Sequence, residues 1–199
     1  MMSWSSNPLS RFGSSAHAIV VGIISVVVFL TTPTEELWKV YPEPTELWGI
    51  MFGIMSAYLA VDLGCMLIMP GKDDVLWLFH HFVGGLGILL IWRTQTVYPV
   101  GLYFVMTELS TPWLNVCWML IKFKQNDTIW FHLASFGLII TFFLFRWFGG
   151  VLLWWYIFHN LSDILATHWF LTIYIFAGCG IITLLNVVWG LKLIRKIFC

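Results

Sequence analysis

VLWLFHHFVGGLGILLIW, Val75–Trp92, carries no acidic residue, lysine or arginine and reads as one membrane-crossing helix. A crossing takes about 20 mostly apolar residues. Inside this run sits a pair, His80-His81. Histidine is costly in hydrocarbon and titrates near neutral pH, so a pair placed there needs hydrogen-bonding partners. Neighbouring apolar stretches offer Asp62, Glu108, Ser110, Thr111 and Asn115.

Working outward, 60% of the 199 residues are hydrophobic and 10% are charged. A soluble chain of this size could not cover that much apolar surface, so the composition predicts an all-α integral membrane protein. Formal net charge is zero and no basic run occurs, which argues against nucleic acid as a partner. The 13 tryptophans suit interfacial anchoring and packing. Cys65, Cys117, Cys179 and Cys199 lack CxxC spacing, so neither a metal site nor a disulfide framework is expected. Cys199, at the end of the basic tail, is a weak candidate for acylation.

Hydropathy and turn residues predict six transmembrane helices: 14–32, 46–69, 75–92, 98–121, 128–148 and 169–191. Breaks fall at Pro33, Pro42, Pro44, Pro70-Gly71, Pro99, Asn126-Asp127 and Gly149-Gly150. Val151–Phe158 is apolar but too short to span alone. It either extends the fifth helix or lies at the interface, and Gly149–His168 is expected not to add a crossing. Arg11, Lys72, Lys122, Lys124, Lys192, Arg195 and Lys196 then share one side, which the positive-inside rule makes cytosolic. Residues 1–13 become a cytosolic segment, 14–192 the membrane domain and 193–199 a basic cytosolic tail.

With about 1.5 Å of rise per residue, Asp62, His80, His81 and Asn115 fall at one depth, roughly 5–10 Å below the cytosolic surface. His81 is the expected partner of Asp62. His80 points about 100° away from it around the helix, so one of the pair is expected to face the polar centre. Arg146 is the cation within a span, and Glu108 is its expected counter-charge. The candidate reacting residues are His81 and Glu108. Candidate lipid-contacting residues are His80, Asp62, Ser110, Thr111, Asn115 and Arg146.

Several segments together resemble the TLC-domain family, which includes ceramide synthases and small TLC-domain-containing membrane proteins. They are Ser14-Ser15-Ala16-His17, Ser56–Leu63, His80-His81, Glu108-Leu109-Ser110-Thr111-Pro112-Trp113-Leu114-Asn115, Arg146, and Leu185–Lys192. The resemblance implies a six-helix bundle or barrel around a lipid-sized cavity. In the ceramide synthases the His pair is followed by His-Asp-x-Ser-Asp-x-x-x-Glu. Those positions here read Thr107, Glu108, Ser110, Thr111 and Asn115, so much of the polar machinery of acyl transfer is missing. The chain looks more like the Glu-Leu-Ser-Thr-Pro branch, linked to phospholipid composition and membrane fluidity.

The expected function is therefore to bind, sense or remodel membrane lipids through a cytosol-facing intramembrane polar site. The rivals are an acyl-CoA-dependent N-acyltransferase of ceramide-synthase type and a non-catalytic subunit of a larger membrane complex. No cofactor is expected, with acyl-CoA a co-substrate only in the acyltransferase case. Membrane lipid is the expected partner, with homo-oligomerisation left open. The endoplasmic reticulum or plasma membrane is favoured, with the mitochondrial inner membrane as the alternative.

Overall fold

The computed structural model describes residues 7–71 and 75–198. Lys72 and Cys199 lie outside the described residues. The elements are α1 (Pro8–Thr31), α2 (Thr34–Leu37), α3 (Glu46–Ile68), α4 (Val75–Thr94), α5 (Tyr98–Met106), a 3-10 turn (Thr107–Ser110), α6 (Thr111–Lys122), α7 (Ile129–Phe142), a π turn (Phe143–Phe148), α8 (Gly149–His159), α9 (Leu161–Leu165) and α10 (Trp169–Phe198). Among the described residues there is no strand.

Five helical runs are long and apolar enough to cross a membrane: α1, α3, α4, the run Ile129–His159 and most of α10. The remaining expected span, the fourth in chain order, is a composite of α5, the 3-10 turn and α6, with 9, 4 and 12 residues in succession. Backbone angles at the joints stay in the right-handed helical region, so the run is continuous. The tightening has a local cause. Pro112 supplies no N–H to the preceding turn, and Thr107 and Ser110 turn their hydroxyls back onto the carbonyls of Phe104 and Thr107, at 2.7 and 2.9 Å.

Two boundaries differ from expectation. α1 begins at Pro8, six residues before the predicted span, because Asn7 caps it (Leu9 N donates to Asn7 Oδ1 at 3.0 Å) and Pro8 occupies the first turn. Gly149-Gly150 ends nothing: the helix runs through it to His159, so Val151–Phe158 extends the fifth span. Those glycines serve close packing instead. A Cβ on Gly149 would lie 3.1 Å from the Tyr103 ring, and one on Gly150 3.3 Å from its hydroxyl.

The composite span shapes the interior. α5 is buried along almost its whole length and packs against α1, α4 and α8. α6 buries only Asn115 and Cys117 and leans between α1 and α7. One half of the bundle is therefore filled by a central helix and sealed by Trp48, Phe52, Ile88, Ile91, Tyr98 and Ile175. In the other half the central helix has moved to the wall, and the space it leaves is a cavity.

Candidate functional site

That cavity has a volume of about 310 Å³ and is lined by all six spans. Its lining reaches Arg11 near the start of α1, Met66 near the end of α3, Trp77 near the start of α4 and Lys192 near the end of α10, and this end of the bundle is termed its mouth. The sequence-predicted residues Asp62, His80, His81, Glu108, Ser110, Thr111, Asn115 and Arg146 all line it. The four expected at one depth, Asp62, His80, His81 and Asn115, form an outer tier, and Arg146 with Ser110 forms a second tier further from that end of the bundle.

The outer tier lies near the mouth. Asp62 is buried on α3, and its Oδ2 sits 2.9 Å from His81 Nδ1 on α4, as expected. The N–H is angled off the line of a good hydrogen bond, so the contact is chiefly an ion pair when His81 is protonated. His80 lines the same cavity, against the expectation that only one histidine would. The cavity is broad enough to touch both faces: His81 looks toward α3, and His80 packs its edge on Trp189 of α10 at 5.3 Å. Trp189 in turn stacks on Trp77 at 5.2 Å.

Asn115 is not free to orient His81. Its Nδ2 donates to Arg11 O at 3.2 Å and Ser15 Oγ at 3.0 Å, while Arg11 Nη1 donates to its Oδ1 at 3.2 Å. It clamps α6 to α1. Arg11, expected in the cytosolic segment before the first span, lies on α1 with its guanidinium 5.2 Å from the Trp118 ring and 6.0 Å from Trp77. The Asn-Pro start of α1 was the signal that would have placed it on a helix facing the site.

The inner tier centres on Arg146. The longer fifth span puts it about 26 Å from the Ile129 end and about 20 Å from the His159 end, near mid-bundle, where its charge is costly. The side chain is 8% exposed and does not snorkel outward. Its Nε donates to Ser110 Oγ at 2.8 Å and its Nη1 to Asn186 Oδ1 at 3.0 Å. Among the described residues it forms no ion pair with Glu108, the partner expected from sequence. Glu108 instead accepts from Thr111 Oγ1 at 2.9 Å, because residues three apart stand one above the other on a 3-10 turn. Arg146 sits on the π turn, a feature frequent at functional sites. Nη2 finds no partner among the described residues, and Arg146 faces the cavity.

The arrangement can accept an amphiphile. Cations stand at both tiers, Asp62 and Glu108 are held by His81 and Thr111, and the floor is apolar, made by Leu59, Ile88, Phe104 and Ile182. A protein-family model described as the TLC domain matches residues 9–195.

The chain belongs to the TLC-domain family.

Two relatives share parts of it. TLC domain-containing protein 4 of Homo sapiens is 28% identical over 120 residues, 58% of this chain and 44% of the relative. Topoisomerase I damage affected protein 4 of Saccharomyces cerevisiae is 25% identical over 144 residues, 69% of this chain and 51% of the relative. The matches thus span about half the length of these curated relatives. The resemblance to ceramide synthases sets Thr107, Thr111 and Asn115 against the His, Asp and Glu of that pattern. All three spend their polar atoms within the fold, on Phe104 O, Glu108 and α1.

Proposed function

We propose that this TLC-domain membrane protein binds a lipid in the cavity from its cytosolic side, and that it senses or remodels the lipid acyl-chain composition of its membrane. The observation that carries this is Arg146: a buried guanidinium near mid-bundle, fixed by Ser110 and Asn186 and turned toward a cavity with an apolar floor. A charge held at that depth is retained for function by default, and its open donor suits an acceptor that arrives with the ligand. The small fraction of polar wall above an apolar floor favours an amphiphile over a water-soluble metabolite.

The test is mass spectrometry of lipid retained after gentle purification, on the native chain and on Gly84→Phe. Gly84 lines the cavity, and a Cβ there meets nothing within 4 Å, so the backbone tolerates a side chain and a phenylalanine narrows the space. A native chain without stoichiometric lipid, or a plugged variant with an unchanged complement, would sink the proposal.

A second function, acyl transfer from a thioester to a lipid amine, is favoured by one observation. Asp62 lies against His81 Nδ1, and Nε2 has no protein partner among the described residues, which suits a carboxylate-oriented base. Transfer of a radiolabelled acyl group from acyl-CoA to a sphingoid base by purified protein, lost in His81→Gln, would establish it.

A further inference from the structure

We propose that the cavity takes a phospholipid with a single acyl chain, its phosphate at Arg11 and its ester carbonyl at Arg146. This rests on the lipid-site reading above and adds the class of ligand. Both guanidinium groups face one cavity, and both are anchored to the same helical run. Arg11 Nη1 holds Asn115, and Arg146 Nε holds Ser110. Those anchors are five residues apart in sequence, so they differ in height by about 7.5 Å. A glycerol linker places a phosphate and an acyl-ester carbonyl at a comparable separation.

The two tiers differ in what they accept. At the mouth, Arg11 lies against Trp77 and Trp118, Lys192 adds a second cation, and the one carboxylate of that tier, Asp62, is held against His81. A planar guanidinium with a neighbouring ammonium suits a phosphate. At the inner tier Glu108 lines the same space as Arg146, so a second full negative charge would be repelled. A carbonyl oxygen accepts from the open Nη2 without bringing charge. The volume, about 310 Å³, is at the lower end for small-molecule sites and leaves room for part of one chain above the Ile88 and Phe104 floor, not for two.

The experiment measures binding to the purified full chain in detergent by native mass spectrometry. The probes are oleoyl lysophosphatidylcholine, its ether-linked analogue without the carbonyl, dioleoyl phosphatidylcholine and oleic acid. The ester lysolipid should bind best, with the ether analogue about tenfold weaker for loss of one charge-assisted hydrogen bond. Arg146→Gln should weaken the ester lipid and leave the ether lipid unchanged, bringing their ratio to about one. Arg11→Gln should weaken both lysolipids and not oleic acid. If Arg146→Gln does not fold, the native ester-to-ether ratio decides alone. A native ratio of one, or dioleoyl phosphatidylcholine binding as tightly as the lysolipid, overturns the proposal. If only dioleoyl phosphatidylcholine or oleic acid binds, and Gly84→Phe abolishes it, the lipid site stands and the single-chain phospholipid falls. If none of the four binds, both fall.

Discussion

Ser110 holds Arg146, accepting from its Nε at 2.8 Å across the interior, while Glu108 two residues earlier turns to Thr111. The charge of Arg146 is therefore stabilised locally by neutral acceptors, Ser110 and Asn186, rather than by a contacting carboxylate. Loss of a hydrogen bond to a buried charge costs about 1.5–3 kcal/mol. Ser110→Ala and Asn186→Leu are each expected to lower thermal stability in detergent by about that amount. A double-mutant cycle between Arg146→Met and Asn186→Leu should show strong coupling, since the second loss is moot once the guanidinium is gone. The cycle between Arg146→Met and Glu108→Gln should be much closer to additive. Equal coupling in both cycles would mean that Glu108 carries the charge after all.

Gly87 marks the tightest helix approach. A Cβ there would lie 1.8 Å from the Tyr174 hydroxyl, which donates to Val83 O at 2.8 Å in the buried seam between α4 and α10. The alanine variant must displace the Tyr174 ring and break that hydrogen bond. Overpacking costs about 1–3 kcal/mol, and an unpaired buried hydroxyl adds about 1–3 kcal/mol more. Gly87→Ala is expected to be among the most destabilising single-methyl changes, whereas Gly64→Ala, with open space around it, should be near neutral. Circular dichroism melts of the two variants in the same detergent would check it. Similar melting temperatures would refute the seam.

The fold was legible because the hydropathy signal is strong and long: the bounds of α3 and α4 fall within two residues of those expected. The Asp62–His81 contact was legible too, since both lie at similar depth on adjacent antiparallel spans joined by a short connection. Arg146 was misassigned for a physical reason. Its partner depends on the rotational phase of two helices, and a 3-10 turn on one side and a π turn on the other each shift that phase. Neither turn has a clear mark in a single sequence. Gly149-Gly150 misled as a break because a glycine pair reads alike whether it stops a helix or admits a tyrosine ring. Arg11 was hidden by the serine-rich segment around it, although Asn7-Pro8 is a helix start by its own chemistry.

Topology follows from the six crossings. Arg11 near the start of α1 and Lys192 near the end of α10 line the same mouth, so these two ends share a face. The basic residues of that face predict that it is cytosolic. Engineered glycosylation tags or cysteine labelling at the start of α1, between α6 and α7 and after Arg195 should all report the cytosol. A tag beside Asn160 should report the opposite side. Opposite results for the two termini would contradict six crossings.

His81 can be separated from His80 by what each touches. His80 packs on Trp189 and Trp77 at 5.3 and 6.3 Å, so His80→Ala should loosen that wall and lower the melting temperature. His81 meets Asp62, whose side chain is 4% exposed. His81→Ala removes one neighbour of that buried carboxylate, which confounds stability with function. His81→Gln keeps a donor for Asp62 and removes the titrating ring. If His81 serves lipid binding through hydrogen bonding, the glutamine variant should retain the native lipid complement and melt near the native temperature. If His81 acts as a base, the glutamine variant should keep its lipid while acyl transfer falls by about 10²–10⁴-fold. Lipid mass spectrometry and the transfer assay on one preparation separate the two. A glutamine variant that is folded, loaded and fully active would leave His81 with no part in the chemistry.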